Sequence, residues 1–197
     1  MNVLTILCVL FPFAAGSALF VWRPQDRAVR NRYALAAVCL NSVFVLGSAL
    51  LSHLHGAENM RFHVASLSPM LQIAFCPDGV GSVFGCIIGV LWPVTTVYAF
   101  SYMEHEGREN MFFGFFILTY GAVAGIAYAA NFFTLYLCYE FMTLVTLPLV
   151  MHEMNGRARS AGKKYVLYSM TGAALVFICL VYFLRYADTL AFTYGGI

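Results

Sequence analysis

Charge is scarce in this sequence. Asp, Glu, Lys and Arg make up only 10% of its 197 residues, where a soluble domain carries about a quarter. That scarcity excludes an ordinary soluble fold, and with it the basic surface that nucleic-acid binding requires. Other signals are missing as well. The six cysteines, at positions 8, 39, 76, 86, 138 and 179, form no CxxC pair, so they read as small apolar packing residues and not as a disulfide framework or metal site. There is no GxGxxG, phosphate loop, nucleophile elbow or Ser/His/Asp arrangement. His53 and His55 form an HxH without Cys or acidic neighbours, which is a weak metal signal, and His63 and His152 stand alone. No catalytic site, metal site or resident cofactor is expected in this chain.

What the sequence has is hydrophobic length. Sixty-one per cent of residues are hydrophobic and the mean hydropathy is +0.79. A membrane span needs about 20 mainly apolar residues, and six stretches qualify: Asn2–Trp22, Tyr33–Leu54, Val80–Met103, Met111–Ala130, Asn131–Met151 and Lys164–Leu184. The expected fold is an all-α integral membrane protein, one transmembrane domain over 1–197. No charge separates the fourth and fifth spans, so a tight turn is placed near Asn131. Ala14-Ala15-Gly16 looks like a signal-peptide cleavage region. No basic residue precedes it, however, and an Arg-rich loop follows, so the first stretch is expected to stay as a span.

The charges that exist are sorted by side. Arg23, Arg27, Arg30 and Arg32 lie in loop one, Arg108 in loop three, and Arg157, Arg159, Lys163 and Lys164 at loop five and the start of helix six. These are nine of the eleven Lys and Arg residues, leaving Arg61 and Arg185 opposite. The positive-inside rule then puts the amino terminus outside and loops one, three and five in the cytoplasm. The long outer loop, from about His55 to Gly79, carries Pro69 and Pro77-Asp78-Gly79 as punctuation. Met70–Phe75 alternates loosely, so a short hairpin or surface strand is expected there. Asp78-Gly79 reads as the turn opening helix three. Pro93 and Pro148 should kink their helices, and the abundant Tyr and Phe are expected mostly to face lipid.

One charge is out of place. Glu140 falls midway along the fifth span, where an acidic residue costs roughly 2.5–3.5 kcal/mol to insert. Phe133, Tyr136, Thr143 and Leu147 share its face. A carboxyl group buried without a cation holds its proton more tightly, which suits a group that exchanges protons near neutrality. Two readings stand: a proton path, or a protonated acid acting as hydrogen-bonded glue between helices. Lys164 opens the sixth span on a face shared with Tyr168, Thr171 and Leu175. It is either a partner to Glu140 or a lysine snorkelling to headgroups. Glu140 lies roughly 17 Å from the cytoplasmic end of its helix at 1.5 Å per residue, so Lys164 approaches it only if helix six begins earlier, near Arg159.

These pieces resemble a known family. Asp78-Gly79 before a long helix, Tyr98-Ala99-Phe100-Ser101-Tyr102-Met103 before an acidic loop, the stretch from Leu135 to Leu144 centred on Glu140, and Lys164-Tyr165 followed by Tyr168-Ser169 are similar to the antiporter-like subunits of respiratory complex I, Mrp cation/proton antiporters and energy-converting membrane hydrogenases. The order and spacing match over 78–184, the amino-terminal half of such a subunit. The resemblance implies a proton- or sodium-translocating module in a bacterial or archaeal cytoplasmic membrane. Glu140 would take the helix-five glutamate role, Lys164 the helix-six lysine, and Tyr136, Thr143, Tyr168 and Thr171 a supporting polar path. In that family the glutamate pairs with a lysine on a broken seventh helix. This sequence reaches Gly195-Gly196-Ile197 without one, which implies a split subunit or a shortened paralogue, with another membrane chain supplying the lysine. Quinone, iron–sulfur and nickel sites would belong to other subunits.

Overall fold

The six apolar stretches form six helices in the computed structural model, which describes residues 2–105, 107–153 and 155–192. Glu106 of the acidic loop and the Gly195-Gly196-Ile197 ending lie outside the described residues. The helices are α1 (Asn2–Trp22), α2 (Arg27–His55), α3 (Gly79–Tyr102), α4 (Glu109–Ala127), α5 (Phe132–Val150) and α6 (Gly156–Tyr186). All six are long and apolar enough to cross a membrane. The chain is an all-α integral membrane protein, with one antiparallel hairpin of β1 (Phe62–Ser66) and β2 (Gln72–Phe75) between α2 and α3.

Helix ends differ from the apolar limits in a consistent way. α2 starts at Arg27 and not Tyr33, because Asp26 caps it by accepting from the Ala28 N–H at 2.8 Å. α6 starts at Gly156 and not Lys164, because Asn155 accepts from the Ala158 N–H at 2.6 Å. At 1.5 Å per residue the 31 residues of α6 extend well past a hydrocarbon core of about 30 Å. Hydropathy marks the lipid-facing part of a helix, while capping chemistry marks its end. Between α4 and α5, Asn131 makes the break by capping α5 through the Thr134 N–H at 2.8 Å. Asp78 caps α3 by accepting from Gly81 N–H at 2.6 Å. Pro12, Pro93 and Pro148 all lie inside helices.

The core sits between α1, α2 and α4, centred on Val9, Leu19, Val38, Val45, Phe113, Ile117, Tyr120 and Tyr128. Small residues let α1 and α4 touch. A Cβ added to Gly16 would lie 2.6 Å from the Gly114 carbonyl oxygen, and one added to Gly121 would lie 2.8 Å from that of Val9. Between membrane helices, where lipid removes the hydrophobic incentive to associate, such close backbone approach is what holds a pair together. α5 packs on α4, and α6 packs on α5 at the edge of the bundle. The buried residues of α6 are Ala158, Gly162, Ala173 and Leu180, so most of its surface faces outward.

The hairpin is fastened to the α4–α5 turn. The Gln72 carbonyl accepts from Asn131 Nδ2 at 2.9 Å and Thr134 Oγ1 at 3.1 Å. Ala130 N–H donates to Ala74 O at 3.0 Å, and Cys76 N–H to Tyr128 O at 2.7 Å. These bonds set where α5 begins, and therefore the depth at which Glu140 sits.

Candidate functional site: an intramembrane carboxyl group on α5

Glu140 lies eight residues after Phe132 and ten before Val150, in the middle of α5. Its side chain is partly covered, and its Oε1 atom is buried without a hydrogen-bond partner among the described residues. A buried polar atom left unpaired costs about 1–3 kcal/mol, and more when charged. Tyr136, one turn earlier, lies within electrostatic reach of the carboxyl group, and its ring packs on Phe177 of α6 at 5.9 Å between centroids. The other expected members of the polar path are arranged differently. Thr143 is buried, but its hydroxyl donates back to the Tyr139 carbonyl at 3.3 Å, the usual fate of a threonine inside a helix. Thr171 donates to Leu167 O at 2.7 Å and is exposed, as are Tyr168 and Lys164. Helix six begins at Gly156, eight residues before Lys164, and the lysine makes no ion pair with Glu140 among the described residues.

Sequence reasoning passed over three polar features. The first is a hydroxyl pair, Thr146 and Tyr165 at 2.6 Å, joining α5 to α6 within two turns of Glu140. Tyr165 adjoins Lys164, so a Thr on one helix and a Tyr beside the flagged lysine were the available signal. The second is a row of buried hydroxyls between α2 and α4, whose tyrosines are exceptions among aromatics that are otherwise largely at the surface. Tyr120 and Tyr128 are both 0% exposed. Tyr120 meets Ser42 at 3.0 Å, Ser48 donates to Tyr128 at 2.9 Å, and Tyr128 donates to the Val45 carbonyl at 3.0 Å. A tyrosine whose hydroxyl finds a partner can be buried whole. Asn41 beside them is 1% exposed, and neither its Oδ1 nor its Nδ2 has a partner among the described residues.

The third is a cluster of charge at the loop-one end. Arg30, counted above only as a topology signal, is buried and paired with Glu109, and its guanidinium lies over the Phe113 ring at 5.9 Å. Arg27 reaches Glu109 at 3.2 Å and Glu104 at 3.9 Å. The six cysteines are free: Cys8 and Cys76 are buried in packing, whereas Cys39, Cys86 and Cys179 are exposed. No group of His, Cys, Asp and Glu among the described residues is arranged to hold a metal ion.

Six membrane-length helices, with one carboxyl group in the middle of α5, define a multi-pass membrane module. No family model matches the chain. Over 178 residues it is 23% identical to a probable K(+)/H(+) antiporter A/B subunit of Rhizobium meliloti, covering 88% of this chain and 17% of that protein. Over 108 residues it is 30% identical to NAD(P)H-quinone oxidoreductase chain 4 3 of Picosynechococcus, covering 55% of this chain and 19% of that one. In fold it matches a chain of the membrane-bound sulfane sulfur reductase, an archaeal respiratory membrane complex. The TM-score is 0.81 at 14% identity, over 97% of this chain and 39% of that chain. The sequence likenesses are to an antiporter subunit and a quinone oxidoreductase chain, the kinds of membrane subunit that the sequence motifs resemble, and the fold likeness is to a chain of a respiratory membrane complex. The chain spans under a fifth of the length of these two sequence relatives.

Proposed function

We propose that this chain is a proton-translocating module, or a sodium-translocating one, of a multi-subunit redox or antiporter complex. In this reading Glu140 takes up a proton from the cytoplasmic side and passes it toward a partner membrane chain. The observation that carries the reading is the Oε1 atom of Glu140, buried at mid-helix with no partner on a neighbouring helix among the described residues. A carboxyl group meant only as glue would be hydrogen-bonded to a neighbouring helix. Tyr136 beside it and the Thr146–Tyr165 pair toward the loop-five end supply hydroxyls along which water could be ordered. The positive loops put that end in the cytoplasm.

In this proposal Lys164 borders the path, reaching Glu140 through water and not by direct contact. The partner cation, a lysine on a broken helix, comes from a second membrane chain placed against the exposed side of α5 and α6. The test is Glu140→Gln in the intact complex reconstituted into vesicles, with ion movement followed by a pH- or sodium-sensitive dye. Removing an essential relay is expected to lower translocation by at least about tenfold, or 1.4 kcal/mol in the controlling barrier, with the composition of the complex unchanged. Undiminished translocation would leave Glu140 as structural glue and the chain as a structural component of the membrane arm.

A further inference from the structure

Outside the Glu140 region, a concavity lies between the loop-five ends of α5 and α6. It is a groove of about 580 Å³, lined by Leu147 of α5, by Met151 just past the end of that helix, and on α6 by residues from Arg159 to Met170. On α6 the lining residues recur at three- and four-residue steps, so they form one stripe along the helix. The stripe is graded. Arg159 and Lys163 stand at the charged end, and beyond them Val166, Leu167 and Met170 are apolar. Neither cation makes an ion pair among the described residues. The floor is tight, since a Cβ added to Gly162 would lie 2.5 Å from the Met151 side chain.

We propose that this groove binds one anionic phospholipid, its phosphate between Arg159 and Lys163 and an acyl chain along Val166, Leu167, Met170 and Leu147. Two observations choose this occupant over a protein helix. The first is length. Arg159 to Met170 is eleven residue steps, or about 16 Å of helix. That is about half of a hydrocarbon core of roughly 30 Å, the depth of a single leaflet. The second is charge. Two free cations at the interface and none further in complement a headgroup attached to an apolar tail. Loop five carries the topology-setting positive charge, so the leaflet is the cytoplasmic one, where anionic lipid is concentrated.

The experiment is native mass spectrometry of the complex isolated from its membrane, after exchange into detergent with equal phosphatidylglycerol and phosphatidylcholine. One phosphatidylglycerol is expected to remain bound in preference. With each basic side chain worth about 1 kcal/mol toward an anionic surface, Arg159→Gln with Lys163→Gln should reduce that preference about 30-fold. Both substituted positions are exposed, so the fold is retained. Val166→Trp, which fills the groove and keeps both charges, should remove the bound lipid altogether. Equal retention of the two lipids by the unsubstituted complex would overturn the proposal, as would undiminished preference in the double variant. Capture of a partner helix by a disulfide from Leu167→Cys in the native complex would overturn it too, since the groove would then be a protein interface.

Discussion

Tyr128 shows how much of this bundle hangs on single hydroxyls. Its OH accepts from Ser48 and donates to the Val45 carbonyl, and it lies against Gly85, where an added Cβ would come within 2.5 Å of the oxygen. Tyr128→Phe would leave the Ser48 hydroxyl and that carbonyl with only the 2.8 Å bond between them and open a small gap. The expected cost is about 1–2 kcal/mol, read as a lower unfolding midpoint of the detergent-solubilised protein. An unchanged midpoint would show that these groups find partners elsewhere. Cys76, in the link between β2 and α3, offers a pH test. Burial pushes its thiol up to about 11, and its Sγ donates to Ala57 O at 3.3 Å. Because the thiolate is the reactive form, alkylation of Cys76 should be slow at pH 7–8 and rise steeply toward pH 11. Rapid labelling at neutral pH, followed by peptide mass mapping, would show that the link opens. Glu58, in the same loop, is held below the usual carboxylate range by its hydrogen bonds to Arg61. The small stabilisation from that pair is present above the ordinary carboxylate pKa and lost as acid protonates the group.

Among the elements, the α1–α4 contact is the one least tolerant of added volume. Gly16→Ala places a methyl group against the Gly114 carbonyl and must separate the two helices. Overpacking of this kind costs about 1–3 kcal/mol, measurable as a lower midpoint and as loss of the assembled protein from membranes. At the loop-one end, Glu109→Gln removes the partner of a buried arginine. Breaking such a pair by one side costs about 3–5 kcal/mol, so this variant should be the more damaging of the two. If Glu109→Gln is no worse than Gly16→Ala, Arg30 must be hydrated. Neither contact was readable from sequence. Runs of apolar residues report a local property, and the six helices and the outer hairpin follow from them directly. Which glycine meets which carbonyl, or that Arg30 would find Glu109 79 residues later, depends on how helices neighbour one another. The same holds for Tyr120 and Tyr128, whose burial is decided by serines on α2.

At the scale of the whole molecule, Glu140 was legible because one carboxyl group in an apolar helix is anomalous wherever that helix goes. Its surroundings were not. Thr143 shares its helical face but donates to its own backbone, and Lys164 and Tyr168 stand on the exposed side of α6. Spacing along one helix says which residues share a side, and it takes the neighbouring helix to say what they meet. The outward surfaces of α5 and α6 agree with a chain that covers only part of its longer relatives, and they give the partner proposal a place to be tested. Cysteines introduced at Leu175 and Ile178, both exposed, should cross-link to another membrane chain in the native complex; labelling by lipid-soluble probes alone would remove that placement.

The hairpin also bears on the order of events during synthesis. β1 and β2 leave the ribosome well before Asn131 and Thr134, the side chains that grip Gln72. We expect the folded hairpin to wait on the far side of the membrane as a receiver for the α4–α5 turn. It would register α5 as that helix arrives with its carboxyl group. Replacing residues 62–75 with a flexible linker should then leave α1 to α4 inserted while α5 becomes accessible to protease or to water-soluble thiol reagents at Cys138. Protection of Cys138 in that variant would show that α5 finds its depth unaided.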